Sequence, residues 1–155
     1  MRDFLFLMGL VALPMVLGGV GGVVTAKAIP GWYREIKKPS WNPPNWIFGP
    51  VWSLLYLMMG VASWLVWRSV GFAGDWVWFY GVQLLLNAIW SWIFFGMKRL
   101  DWALMNIILM WFAIVACIVA FWQISVLAGA LMVPYLLWVS FASVLNFRIW
   151  ALNRS

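Results

Sequence analysis

The chain has 155 residues, of which 66% are hydrophobic and 9% charged, with a mean hydropathy of +0.96 and a formal net charge of +6. A water-soluble domain of this length cannot bury so much apolar surface, so residues 1–155 are predicted to form a single membrane-embedded domain. Histidine is absent and only four residues are acidic. Conventional acid–base catalysis, a metal centre and a required cofactor are therefore not expected. The basic residues lie between apolar segments, which excludes nucleic acid as a partner.

The first predicted element is an apolar span over residues 4–25. It contains Gly18 and Gly22 in a G-x-x-x-G pattern, which allows two helices to approach closely. The pair indicates either a homodimer contact or close packing inside one bundle. Arg2 and the apolar run after it resemble a signal peptide only superficially, because the run is too long for one.

A loop rich in tryptophan and proline, here called loop 1, follows over residues 26–43. Its prolines oppose helix formation, so the loop is expected to be ordered without being helical. Aromatic rings at such a junction commonly anchor a protein at the membrane surface. Their density here exceeds what an anchor needs. We therefore predict that loop 1 is a lid over a pocket, with Trp32, Tyr33 and Trp41 as its aromatic face.

Four more apolar segments follow, each long enough to cross a hydrocarbon core of about 30 Å. They are predicted near residues 44–68, 76–97, 102–123 and 126–150. The expected fold class is an all-α membrane protein, a bundle of five transmembrane helices. Asp75 and Asp101 are placed to cap the third and fourth spans.

The charges predict an orientation. Five spans put eight basic residues on the side of loop 1 and two, Arg2 and Arg68, on the other. Basic residues accumulate on the cytoplasmic side of inner and plasma membranes. In such a membrane, loop 1 and the C-terminal end of the chain are expected to face the cytoplasm.

Three side chains on different helices are expected at similar depths below loop 1. From the helix rise, Trp52 lies about 12 Å in, Asn87 about 15 Å and Trp138 about 18 Å. Aromatic walls with a few fixed polar groups are typical of a pocket for a flat, largely apolar ligand. Packing of tryptophans and hydrogen bonding between helices would explain the same residues without a ligand.

The motifs resemble those of a known family. The stretch from Trp32 to Trp46, continuing to Tyr56, is similar to the loop-1 and second-helix signature of the TspO/MBR family, the tryptophan-rich sensory proteins related to the mitochondrial translocator protein, or peripheral benzodiazepine receptor. The sequence FFGMKR at residues 94–99 and VPYLLW at residues 133–138 also resemble family motifs, in family order. The resemblance covers about residues 30–150.

This resemblance implies a five-helix bundle, typically a homodimer, that binds porphyrins such as protoporphyrin IX and isoquinoline or benzodiazepine drugs. By position, the ligand-binding residues that it implies are Tyr33, Trp46, Phe48, Trp52, Asn87, Trp102, Leu109, Trp138, Ala142 and Leu145. Trp52 and Trp138 match tryptophans with which some bacterial members degrade porphyrin in light. They would be the catalytic residues if that reaction occurs here.

The C-terminal sterol-binding pattern of the family is interrupted in this chain. Phe147 stands where the pattern has tyrosine and Ala151 where it has a basic residue, so sterol recognition is not expected. The leading interpretation is an integral membrane porphyrin-binding protein that acts in tetrapyrrole sensing, sequestration or transport. The alternatives are a light-dependent porphyrin-degrading enzyme, a lipid- or sterol-binding translocator, and a regulatory protein that acts through its surface.

Overall fold

Five long α-helices make up the computed structural model, which describes residues 1–154. They are α1 (Arg2–Ala28), α2 (Phe48–Val70), α3 (Trp76–Ser91), α4 (Leu100–Ile124) and α5 (Val126–Asn153). Each helix, together with its adjoining turns, is long and apolar enough to cross a membrane. The predicted all-α bundle of five transmembrane helices is confirmed.

The main differences from the predicted boundaries lie around loop 1. α1 continues past residue 25 and is followed by a π-helical turn, Ile29–Tyr33, so the irregular part of loop 1 covers only residues 36–44. A second π-helical turn, Trp92–Gly96, follows α3. Such turns leave no signature in the hydrophobic pattern, and they occur frequently at functional sites.

The helix caps agree only in part with those predicted. Asp75 directly precedes α3, as expected, but its side chain makes no capping bond. Asp101 lies inside the first turn of α4, where its carboxylate pairs with Arg99 at 2.8 Å, so the predicted cap is wrong. The side chain that does cap is Ser125, whose Oγ accepts the N–H of Ala128 at 3.2 Å and starts α5.

The helices pack as a closed ring in the order α1, α2, α5, α4, α3. Each contacts its two neighbours in that order, and α3 returns to contact α1. Only Ser125 separates α4 from α5, so the two are antiparallel neighbours. The ends of all five helices next to loop 1 gather on one side of the bundle.

Contact between α1 and α2 depends on glycine. A Cβ added at Gly60 would lie 2.6 Å from the Cα of Val11 and 2.9 Å from the carbonyl oxygen of Leu10, so the two backbones touch there. A Cβ added at Gly18 would fall inside the ring of Tyr56. Gly18 therefore packs inside its own chain, the alternative that the sequence left open. The homodimer itself stays a prediction.

The hydrophobic core has two parts. The larger part fills the body of the bundle around Met59, Met110 and Ile114. The smaller part lies beneath loop 1, where Tyr33 packs on Phe94 and Phe95 with ring centroids 6.2 and 5.4 Å apart. Both π-helical turns contribute to this second part, which closes the end of the bundle above the cavity described next.

Candidate functional site

A cavity of about 350 Å³ lies inside the bundle on the side of loop 1. Its lining comes from α1, α2, α3 and α5 and from the turns next to loop 1, but not from α4. Ligand pockets for small organic molecules typically measure about 300–1,000 Å³. The cavity is thus large enough for an organic ligand and is enclosed by residues far apart in the sequence.

Two tryptophans form an aromatic corner in the cavity wall. The rings of Trp52 and Trp138 stand at 88° to each other with centroids 6.3 Å apart. Tyr56 stacks on Trp52 at 5.6 Å, and Phe141 lies 5.5 Å from Trp138. A flat ligand placed in this corner would present its face to one indole and its edge to the other, which are the favoured geometries of aromatic pairs.

A hydrogen-bonded network fixes the polar floor of the cavity. The Tyr56 hydroxyl donates to Asn87 Oδ1 at 3.0 Å, and Asn87 Nδ2 donates to the Tyr135 hydroxyl at 2.7 Å. The Tyr135 hydroxyl in turn lies 3.6 Å from Met110 Sδ. All four residues are buried. Asn87 therefore holds α2, α3 and α5 together as well as lining the cavity.

One buried donor on the wall has no partner among the residues that the structure describes. The indole Nε1 of Trp138 is buried and makes no hydrogen bond within residues 1–154. Burying a donor without an acceptor is costly, and nearly all such groups in proteins are paired. Trp138 lines the cavity with its ring, while its N–H lies within the wall and is not exposed to the cavity.

Tyr33 of loop 1 lines the cavity, and the loop is held by hydrogen bonds at several points. Asn153, at the end of α5, accepts the N–H of Lys37 at 2.9 Å and donates to its carbonyl at 2.7 Å. Lys38 Nζ donates to the carbonyls of Tyr33 and Ile36 at 2.6 and 3.1 Å. Partial burial lowers the pKa of Lys38 from its ordinary value. Trp41 covers Phe141, with centroids 5.8 Å apart.

Most of the residues implied by the family resemblance meet in the cavity lining. Those that line it are Tyr33, Phe48, Trp52, Asn87, Trp138, Ala142 and Leu145. Three others point outward: the exposed fraction is 72% for Trp46, 55% for Trp102 and 60% for Leu109. Trp32 is outside the lining and packs edge-on against Phe94 at 5.9 Å. Gly18 and Gly22, considered as dimer contacts, both line the cavity.

The sequence reasoning missed Trp90 as a cavity residue. Its indole N–H donates to Asn146 Oδ1 at 3.0 Å, and Asn146 Nδ2 donates to the Leu100 carbonyl at 3.1 Å. Trp90 follows Asn87 by three residues, so it lies on the same face of α3, one turn nearer to loop 1. The spacing from Asn87 could therefore have identified Trp90 as a cavity residue.

The fold and the site together define a class: a five-helix membrane protein with an internal, tryptophan-lined cavity of ligand size. Comparison with known proteins gives the family. The model of the TspO/MBR family matches residues 10–151, and the chain belongs to that family.

Named relatives match along most of their length. The chain is 44% identical over 126 residues to the translocator protein of Homo sapiens, covering 79% of this chain and 75% of the relative. It is 43% identical over 151 residues to the tryptophan-rich protein TspO of Chlorobaculum tepidum, covering 92% of each. It is 38% identical over 151 residues to protein CrtK of Rhodobacter capsulatus, covering 93% and 92%.

Proposed function

We propose that this membrane protein binds a porphyrin-type tetrapyrrole, such as protoporphyrin IX, in the cavity beneath loop 1 and acts in tetrapyrrole sensing, sequestration or transport. The observation that carries the proposal is the perpendicular pair of Trp52 and Trp138 in the cavity wall. Together the two rings offer a flat aromatic ligand a face and an edge. Isoquinoline or benzodiazepine drugs would use the same corner.

Charge at the roof suits the carboxylates of such a ligand. Arg34, Lys37 and Lys98 are exposed around loop 1. Two further cations on this side have partners, because Lys38 binds backbone carbonyls and Arg99 binds Asp101. A porphyrin with its ring between the tryptophans would direct its propionates toward the exposed cations, which attract anions over roughly a Debye length of 10 Å.

Titration with protoporphyrin IX tests the proposal. We expect saturable binding to the protein in nanodiscs, measured by the quenching of tryptophan fluorescence. Trp138→Phe removes part of the stacking surface, worth about 1–1.4 kcal/mol, so Kd should rise about fivefold to tenfold. Asn87→Ala should weaken binding as well, because the polar floor is lost.

Trp102→Phe is the matched control, because Trp102 is an exposed tryptophan outside the cavity lining. It should leave Kd unchanged. An equal effect of Trp102→Phe and Trp138→Phe, or unchanged binding in both cavity variants while they remain folded, would remove the cavity as the porphyrin site.

Light-driven porphyrin breakdown is a second candidate function. It is favoured by the contact between Trp52 and Trp138, since two adjacent indoles in the cavity wall can exchange an electron with a photoexcited porphyrin. Illumination of the purified complex should then bleach the porphyrin to a defined product, and Trp52→Phe should slow the bleaching while binding persists. Spectra that stay unchanged under light would restrict the protein to binding.

A further inference from the structure

The cavity is enclosed unequally on its different sides. Every lining residue of α3 and α5 is buried or half-buried. The exposed lining residues all come from α1 and from the start of α2: Met15, Gly19, Gly22, Ala26, Asn45, Gly49 and Ser53. The cavity therefore opens sideways, between α1 and α2.

The shape of this gap follows from where the two helices touch. Gly60 holds α2 against the backbone of α1 at Leu10 and Val11, near the middle of both helices. Toward loop 1, the α1 residues that face the gap are small. A Cβ added at Gly19 or Gly22 would meet no atom within 4 Å. The helices are thus in backbone contact near their middle, and open space lies beside Gly19 and Gly22 closer to loop 1.

The gap opens at a depth where the surrounding medium is lipid. Gly22 lies six residues before the end of α1, about 9 Å along the helix. Ser53 lies eight residues after the start of the turn that leads into α2, about 12 Å in. Both positions belong to apolar segments long enough to span a membrane, so the gap faces the acyl chains of the leaflet on the loop-1 side.

The roof contrasts with the gap. Loop 1 is tied down by the paired bonds between Lys37 and Asn153 and by the bonds of Lys38, and its Tyr33 lines the cavity. Among the described residues no hydrogen bond spans the gap beside Gly19 and Gly22, and the nearest contact across it is the Tyr56 ring against Gly18. Passage through the roof requires several hydrogen bonds to break, whereas passage through the gap requires only displacement of lipid.

We infer that the gap between α1 and α2 is a lateral portal, through which a flat, largely apolar ligand passes directly between the cavity and the loop-1-side leaflet. The inference rests on the proposed porphyrin binding and specifies its route. A ligand that partitions into the bilayer reaches the portal without crossing water, and its propionates remain near the basic surface at the membrane boundary.

Bulky side chains placed in the portal test this route. Gly22→Phe and Ser53→Phe narrow the gap from opposite sides, and Gly81→Phe is the control, since Gly81 is an exposed α3 residue outside the lining whose Cβ would also meet nothing within 4 Å. Protoporphyrin IX association and release are followed by stopped-flow fluorescence in nanodiscs. A portal affects both directions equally, so both rates should fall at least about tenfold while Kd stays within about twofold. Gly81→Phe should change neither rate. If one portal variant does not fold, the other still provides the test.

Other outcomes separate the portal from the binding site. A higher Kd with faster release would mean that the phenylalanine occupies the cavity, and rates equal to wild type would mean that the ligand passes through loop 1; either result overturns the portal but leaves porphyrin binding intact. Absence of saturable binding by the wild type would instead overturn the proposed function and, with it, the portal.

Discussion

Tyr135 is the side chain through which the polar floor stabilises the fold. Its hydroxyl accepts a 2.7 Å hydrogen bond from Asn87, so Tyr135→Phe leaves a buried amide N–H without that acceptor. Hydrogen bonds between membrane helices contribute about 0.6–1.7 kcal/mol. We expect Tyr135→Phe to lower the unfolding temperature in detergent, measured by intrinsic fluorescence.

Tyr80→Phe is the matched control for that measurement. Within residues 1–154 the buried Tyr80 hydroxyl has no partner at hydrogen-bonding geometry, and the hydroxyl of its neighbour Ser63 donates to the Gly60 carbonyl at 2.8 Å. Removing the Tyr80 hydroxyl should therefore leave the unfolding temperature unchanged or raise it. A larger loss for Tyr80→Phe than for Tyr135→Phe would contradict this account of the floor.

Depth could be predicted from the sequence, but the direction of a side chain could not. Counting residues placed Trp52, Asn87 and Trp138 at comparable depths, and the structure has all three in the cavity lining. Trp102 and Leu109, which were also expected in the ligand site, lie on α4 but face outward. In a helix that is apolar on all sides, periodicity does not distinguish the inner face from the face toward lipid.

At the scale of elements, the end of α5 holds loop 1 in place. Asn153→Leu removes both hydrogen bonds to Lys37, which are worth about 1–3 kcal/mol together. We expect amide hydrogens in residues 36–44 to exchange at least about tenfold faster, measured by hydrogen–deuterium exchange with mass spectrometry. Asn153→Asp retains an acceptor for the Lys37 N–H and should give an intermediate rate. Unchanged exchange in both variants would show that Lys38 and Trp41 are sufficient to hold the loop.

The contact between α1 and α2 gives a second test at this scale. Gly60→Ala places a methyl group 2.6 Å from the Val11 Cα, and backbone cannot yield as a flexible side chain would. We expect Gly60→Ala to lower the unfolding temperature clearly. Gly81→Ala, whose methyl group meets nothing within 4 Å, should keep or raise it because alanine favours helix over glycine. Equal stability of the two variants would contradict the close approach of the helices.

The elements were predicted well except where chain geometry departs from the α-helix. Apolar length and turn residues were sufficient to predict five spans. The two π-helical turns and the helical start of loop 1 could not be predicted, since they depend on packing of Tyr33 against Phe94 and Phe95 from another helix. A hydrophobic pattern depends on residues close together in the sequence, and this contact joins residues about 60 positions apart.

At the scale of the whole molecule, the charge distribution predicts orientation. The bundle gathers the basic ends next to loop 1 on one side, and Arg2 and Arg68 lie at the other. In an inner or plasma membrane, a thiol introduced by Ala73→Cys should react with an impermeant maleimide in intact cells, whereas Ser40→Cys should react only after permeabilisation. Both positions are exposed, and the native Cys117 is fully buried. The reverse labelling pattern would invert the assigned orientation.

The order of the helices in the ring also determines when, during synthesis, the cavity wall is completed. α1 and α2 are synthesised first, but α2 gains its second neighbour in the ring only when α5 has been inserted. α5 then supplies Trp138 and Ala142 to the cavity wall, and its last residue, Asn153, fastens a loop made more than a hundred residues earlier. Four inserted helices enclose no complete cavity. The cavity wall is therefore complete only after α5 has been inserted.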